Sequence, residues 1–357
     1  MKNSSIIRVA FALGAMTLLA ACGGSGGSDS SSNNDSSNTD STTRDLEGQS
    51  ITIYSGRNET LMAPLFAEFT TATGINVEVR YGDSGELAAL IMTEGDKSPA
   101  DVYFSQDAGA LGAVQDAALF TTLPTDITAL IEPQFQSTSG NWAATSGRAR
   151  VVVYNPALVS VPPMSLDDLL NSQWMGKIGY APSNASWQSF VTALRLTRGE
   201  DGARAWLTDF AANKPVAYEK NGVVRDAVNA GEVSLGLINH YYLYELIAST
   251  GPEKVVAKNL YFKDGEAGSL INIAGVGVLA SSARTDAALE FVRYLLSTAG
   301  QTYFVERTFE YPMISGVSPF SELPTLRELN PPAIDLADLK SIEVTQALLE
   351  DVGLLTR

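Results

Sequence analysis

A single cysteine and a single histidine stand in a chain of 357 residues. One cysteine rules out an internal disulfide and any zinc site built on paired thiolates, and one histidine rules out a site that needs two imidazoles. A Ser-His-Asp triad could draw only on His240. No recognisable nucleophile elbow pairs with it, so a surface hydrolase would lack a base beside a nucleophile. Positive charge is scarce as well: 24 Lys and Arg face 40 Asp and Glu, for a formal charge of −16. Nucleic acid is thereby excluded as a partner, since neutralising phosphates requires clustered Lys and Arg. Beyond Cys22 no apolar run is long enough to span a bilayer. A ligand of this chain is expected to meet oxygen donors.

What is present begins with an export signal. Lys2 and Arg8 precede an apolar run from Ile6 through Leu19, which ends in Leu19-Ala20-Ala21-Cys22. The run is short, is interrupted by Gly14 and closes on small residues, so residues 1–21 read as a signal peptide and not as a spanning helix. The ending resembles a bacterial lipobox, which makes Cys22 the expected lipid-modified first residue of the mature chain. Residues 22–47 are mostly Gly, Ser, Asn, Asp and Thr, too polar to bury surface against their ordering entropy. They are expected to form a flexible tether of about 25–30 Å r.m.s. span. Signal, lipid and tether together place a globular domain outside the cytoplasmic membrane.

From residue 48 onward strand and helix patterns alternate. Ser50–Tyr54 alternates apolar and polar residues and breaks at Ser55-Gly56, and Thr60–Thr73 has helical spacing closed by Gly74. Asn76–Arg80 and Ala100–Phe104 read as further strands around a Glu86–Thr93 helix. Later strands are expected at Arg148–Tyr154, Ile178–Tyr180, Val233–Ile238 and Ile271–Ala280. Helices are expected at Trp187–Arg198, Asp201–Ala212, Gly222–Ala230, Thr285–Ser297, Ala299–Glu306 and Asp338–Val352. Short loops between alternating elements give an α/β fold with a mostly parallel sheet, and the length with 45% hydrophobic residues supports two cores.

Polar residues collect where strands end, the edge at which α/β proteins bind ligands. Gly236-Leu237-Ile238-Asn239-His240-Tyr241-Tyr242 ends a buried strand and opens a helix. Adjacent tyrosines cannot both face one core from a regular strand, but at such a junction they can converge. Two phenolates are hard donors suited to a trivalent ion such as Fe(III); aromatic packing is the plainer explanation of the pair. Ser183, Asn184, Ala185 and Ser186 precede a helix whose N-terminus favours an anion, and Asn221 stands near the start of another; both also read as ordinary helix caps. Arg57 follows the first strand as a cation for a carboxylate or carbonate, and Gln106 and Asp107 follow the third as oxygen donors, or each is a solvated loop residue. His240 reads more simply as a structural residue than as a ligand.

Taken in order, Ile51-Thr52-Ile53-Tyr54-Ser55-Gly56, Glu94-Gly95-Asp96-Lys97-Ser98-Pro99-Ala100-Asp101-Val102, Ser146-Gly147-Arg148-Ala149-Arg150-Val151, Tyr218-Glu219-Lys220-Asn221, Asn239-His240-Tyr241-Tyr242 and Phe309-Glu310-Tyr311-Pro312 resemble the ferric-iron-binding lipoproteins of bacterial ABC importers. The resemblance runs over most of residues 50–355. It implies a two-lobed type II periplasmic-binding-protein fold, each lobe a mostly parallel sheet flanked by helices. Residues 48–147 with 271–315 would form one lobe and 148–270 with 316–357 the other, joined by hinge crossings at Ser146–Arg148 and near Leu270–Asn272.

It further implies that Tyr241 and Tyr242 bind Fe(III), and that Ser183–Ser186, Asn221 and Asn239 hold a synergistic anion. Family members often place a His after the first strand and a Glu after the third, where this chain has Asn58 and Gln106. Others add a third Tyr where Trp187 stands. Two phenolates leave Fe(III) at +1, so Asp107 or an exogenous carbonate, phosphate or citrate, aided by Arg57, is expected to complete the shell. The expected protein is no enzyme. It is a monomeric solute-binding component, lipid-anchored at the outer face of the cytoplasmic membrane or in the periplasm, that delivers cargo to a permease served by a cytoplasmic ATPase. An organic or oxyanion solute on the same fold, such as a polyamine, sulfate or phosphonate, is the alternative.

Overall fold

The computed structural model describes residues 46–320 and 323–355. The expected signal peptide, Cys22 and the tether through residue 45 lie outside the described residues. The strands are β1 (Ser50–Ser55), β2 (Asn76–Tyr81), β3 (Val102–Ser105), β4 (Ala143–Tyr154), β5 (Ile178–Tyr180), β6 (Val216–Ala217), β7 (Leu235–Asn239), β8 (Lys258–Leu260), β9 (Ile271–Val278) and β10 (Tyr311–Pro312). The principal helices are α1 (Glu59–Thr73), α2 (Ser84–Glu94), α3 (Ala108–Asp116), α4 (Ala185–Ala212), α5 (Asn221–Ala230), α6 (Tyr241–Thr250), α7 (Thr285–Leu295), α8 (Thr298–Thr308) and α9 (Ile342–Asp351).

Most boundaries fall within a few residues of the sequence pattern. Gly74 ends α1 at φ 73°, its N–H returning to the Thr70 carbonyl, the left-handed cap that glycine supplies without strain. The two helices read on either side of Gly199 run as α4 with a break at that residue, where φ is 73° and ψ 168°. Helix α3 was not foreseen, because Ala108-Gly109-Ala110-Leu111-Gly112 is weak in both propensity and periodicity. The last helix starts at Ile342 and not at Asp338, since Leu336–Lys340 forms a tighter 3₁₀ turn first.

Strand order is β2-β1-β3-β9-β4-β7-β5-β6, with β8 and β10 also paired to β4. The two ends of this order are parallel: β1 pairs parallel with β2 and β3, and β5 with β6 and β7. Between them β9 and β4 run antiparallel to each other and to their outer neighbours. Strand β4 serves both ends, because Ala143–Ala149 pairs with β9 whereas Arg150–Tyr154 pairs with β7. An aromatic cluster stabilises each end. Phe66 and Phe69 of α1 meet Phe291 of α7, the closest pair at 5.1 Å, and Trp187, Phe190, Trp206 and Phe210 of α4 pack together with Tyr180 of β5. Truncating any one of these rings to alanine is expected to cost about 3–5 kcal/mol.

The C-terminal run touches both ends. Helix α3 lies so close to Leu336–Lys340 that a Cβ on Gly112 would stand 2.4 Å from the Ala337 carbonyl oxygen, and one on Gly109 2.7 Å from that of Leu339. Helix α9 packs instead on α4, where the Arg195 guanidinium donates to Ser341 and Thr345 and the Thr192 and Thr345 hydroxyls share a hydrogen bond of 2.7 Å.

Candidate functional site

Parallel strands send their carboxyl ends to one edge, so the residues after β1, β2 and β3 share a rim. Arg57 and Asn58, Gly82, and Gln106 take these places, and all line a cavity of about 500 Å³. The opposite wall comes from α6, which begins directly after β7 and contributes Tyr241, Tyr242 and Glu245, while Glu310 enters from the turn after α8. Five of the residues singled out in the sequence therefore meet in one cavity: Arg57, Asn58, Gln106, Tyr241 and Tyr242.

The tyrosine rings stack with centroids 4.3 Å apart and planes at 27°. Tyr241 is buried and Tyr242 half-buried. Burial pushes the Tyr241 phenol well above its ordinary value; nearby Tyr242 adds to the rise and Arg148 opposes it. A phenol in this setting gives up its proton readily only when another cation takes its place. The donor set suits such a cation, being oxygen throughout. Among the described residues no group of three or more His, Cys, Asp and Glu could hold a metal ion.

His240, next in the chain, is fully buried and spent on structure. Its Nδ1 accepts the Ala149 N–H at 3.1 Å and its Nε2 bonds the Phe309 carbonyl at 2.8 Å, which fixes the tautomer as neutral and Nε2-protonated. Burial draws its pKa down to about 4, against the pull of those hydrogen bonds. Both ring nitrogens are taken, so this imidazole can serve neither as a metal ligand nor as a catalytic base.

The charged residues below the tyrosines are bound to one another. Arg57 donates from both terminal nitrogens to Glu310 at 3.2 and 2.9 Å, with each side chain no more than 3% exposed. Ser146 of β4 donates to the same carboxylate, and the Arg57 guanidinium lies 5.8 Å from the Phe104 ring centre. Burial alone would raise the Glu310 carboxyl, but Arg57 and Arg148 with these hydrogen bonds outweigh it and hold the group below the usual carboxylate range. Asn58 caps α1, accepting the Leu61 N–H at 3.2 Å. Asp107 caps α3, accepting the Ala110 N–H at 3.0 Å, and faces a neighbouring groove that also receives Ser183 and Ala185.

Three functional candidates escaped the sequence reading. Arg148 and Arg150 alternate on β4 and are both buried, a pattern that a Val-rich strand shows only when the cations have partners. Arg148 donates to the carbonyls of Gln106 and Ile273, joining the loop after β3 to β9. Arg150 donates to Ser186 Oγ at 3.3 Å and to the Leu237 carbonyl at 2.8 Å, and lies over the Trp187 and Phe190 rings. Burial lowers its pKa to about 9, with Tyr242 acting in the opposite sense. The third is Glu245, three and four positions after the tyrosines on the same helix, a spacing that puts all three on one face. Burial raises its carboxyl.

The loop before α4 forms a compact polar cluster. Asn184 Oδ1 accepts from Ser186 N at 3.0 Å and Oγ at 2.6 Å, and the Asn221 amide donates to Asn184 Oδ1 and Ser186 Oγ, each at 3.1 Å. Asn221 Oδ1 is buried without a hydrogen-bond partner among the described residues. Asn239 is buried at the end of β7, directly opposite Arg150 in the ladder. Asn184 and Asn221 thus meet at Ser186, whose hydroxyl accepts from Arg150, a cation whose charge is coupled to Tyr242.

Residues 54–302 match the family described as bacterial extracellular solute-binding protein. The Fe(3+)-binding periplasmic protein of Serratia marcescens is 37% identical over 310 residues, covering 86% of this chain and 91% of that relative. Iron-bound HitA from Pseudomonas aeruginosa superposes with a TM-score of 0.80 at 33% identity, over 86% of this chain and 100% of that one. Trichodesmium IdiA (FutA) in complex with iron and citrate gives 0.76 at 29% identity over the same shares.

Proposed function

Since the chain belongs to the bacterial extracellular solute-binding protein family, in its ferric-iron-binding branch, we propose that it is the extracytoplasmic component of an ABC importer that captures Fe(III) through Tyr241 and Tyr242. The family is one of solute-binding proteins and not of enzymes. The observation that carries the reading is the convergence of two stacked tyrosines with the loop ends of β1 and β3 on one cavity. Fe(III) replaces the phenolic protons, and Arg148 beside Tyr241 favours the phenolate. Gln106 and Asn58 stand on the opposite rim as neutral oxygen donors.

A synergistic anion, carbonate, phosphate or citrate, is held in this reading by Ser183–Ser186, Asn221 and Asn239. Arg150 supplies the positive charge, since the terminal nitrogens of Arg57 are already on Glu310. Closure follows by bending at β4 and β9, the strands shared by the two ends of the sheet, with residues 48–147 and 271–315 moving against 148–270 and 316–357. The closed form docks on a permease, and lipid at Cys22 keeps the domain at the membrane.

The test is a visible spectrum and metal analysis of the purified protein with and without citrate or carbonate. Phenolate-to-Fe(III) charge transfer colours the loaded protein, and the Tyr241→Phe/Tyr242→Phe variant loses both colour and tight binding. An unchanged spectrum in that variant would sink the assignment.

A further inference from the structure

Two phenolates leave Fe(III) with one uncompensated positive charge, and the rim residues Asn58 and Gln106 are neutral. The acidic side chains lining the cavity are Glu245 and Glu310. Glu310 is committed, holding Arg57 through both oxygens and accepting from Ser146. Asp107, the carboxylate nearest in sequence to Gln106, caps α3 and lines the adjacent groove. Glu245 differs from both: it is half-buried, it lines the cavity, and among the described residues its carboxylate forms no hydrogen bond or ion pair. Arg225, which is bonded to Asp226 and to the Tyr242 carbonyl, acts on it only through space, so its oxygens remain open to a cation.

On the two-tyrosine reading above, we propose that Glu245 is the third anionic oxygen donor to Fe(III). It follows Tyr241 by four residues and Tyr242 by three, so helix geometry brings the three side chains to one face of the first turns of α6. The two phenolates and this carboxylate sum to three negative charges and neutralise the ion. All three come from one helix, so the ion is bound there before the rim of β1 and β3 closes over it. An exogenous anion then serves to fill coordination positions and to pair with Arg150, not to balance the charge of the iron.

The experiment compares full-length wild type with Glu245→Gln, which keeps the shape and removes the charge, and with Glu245→Asp, which keeps the charge on a shorter arm. Fe(III) affinity is measured by competition with a chelator in buffer depleted of carbonate and citrate, alongside the visible band and the unfolding midpoint of the metal-free protein. Because the carboxylate makes no hydrogen bond, the metal-free midpoint is expected to stay where it is. Glu245→Gln should keep the phenolate band but move it to longer wavelength, because a less neutralised Fe(III) is the better electron acceptor. Its affinity should fall by at least about tenfold, the low end of what losing even an outer-shell partner of a metal ligand costs. Adding citrate or carbonate should recover part of that loss, and Glu245→Asp should fall between the two. Equal affinity and an unmoved band in Glu245→Gln would overturn the proposal while leaving the tyrosines in place. A wild type without any phenolate band overturns the tyrosine reading and this one together.

Discussion

Replacing Glu310 with Gln removes the negative charge that Arg57 and Ser146 share and leaves the Arg57 guanidinium in a site where both partners are at most 3% exposed. Arg148 loses its largest favourable charge interaction in the same step. Removing one member of a buried ion pair costs about 3–5 kcal/mol, most of it the desolvation of the charge left behind. With two arginines affected, the upper half of that range is expected, a large share of the 5–15 kcal/mol by which domains are usually stable. The assay is urea unfolding of the iron-free protein with a chelator present, so that ligand binding adds nothing to the native state. The double variant Arg57→Met/Glu310→Gln removes the orphaned Arg57 charge and should be more stable than Glu310→Gln alone, with a coupling energy of about 2 kcal/mol. A loss below about 1 kcal/mol in Glu310→Gln would refute the reasoning, as would a double variant no better than the single one.

On the proposed two-tyrosine site, iron affinity should rise with pH, since each phenol would shed a proton to bind and burial holds Tyr241 above its ordinary value. Two protons released give a change of up to about 100-fold per pH unit below the phenol pKa values, and in Tyr242→Phe the slope of log affinity against pH should drop by one proton. Gly112→Ala would force a methyl group to within 2.4 Å of the Ala337 carbonyl oxygen, so the C-terminal run must shift. A destabilisation of about 1–3 kcal/mol in urea unfolding is expected.

The position of Tyr241 and Tyr242 at a sheet edge is legible from the chain alone, because a short apolar strand that ends in polar residues and a helix start marks such an edge wherever it occurs. The break at Gly199 and the cap at Gly74 are legible for the same reason: each is written in local backbone preferences. What escapes is pairing across the fold. Arg57 offers a cation to the reader of the sequence, yet the carboxylate that takes it lies 253 positions away. Arg148 and Arg150 look like surface residues on an alternating strand until β9, β10, β7 and β8 cover both edges of β4. Glu245 is hidden by its own ordinariness, an acidic residue on a helix, and gains meaning only when the cavity shows which face it occupies.

The C-terminal run is held at two places. Residues Leu336–Lys340 grip α3 backbone against backbone, Ile342–Asp351 grips α4, and between the two grips stands Ser341 alone. One residue of extended chain spans about 3.5 Å. Any swing that parts α3 from α4 by more than a few ångströms must therefore peel the turn from α3 or pull Ser341 off Arg195, whose guanidinium holds both its carbonyl and its hydroxyl. In the proposed closure, the aperture of the cleft is limited by a tie-bar at the far end of the sequence as well as by the strands proposed to bend.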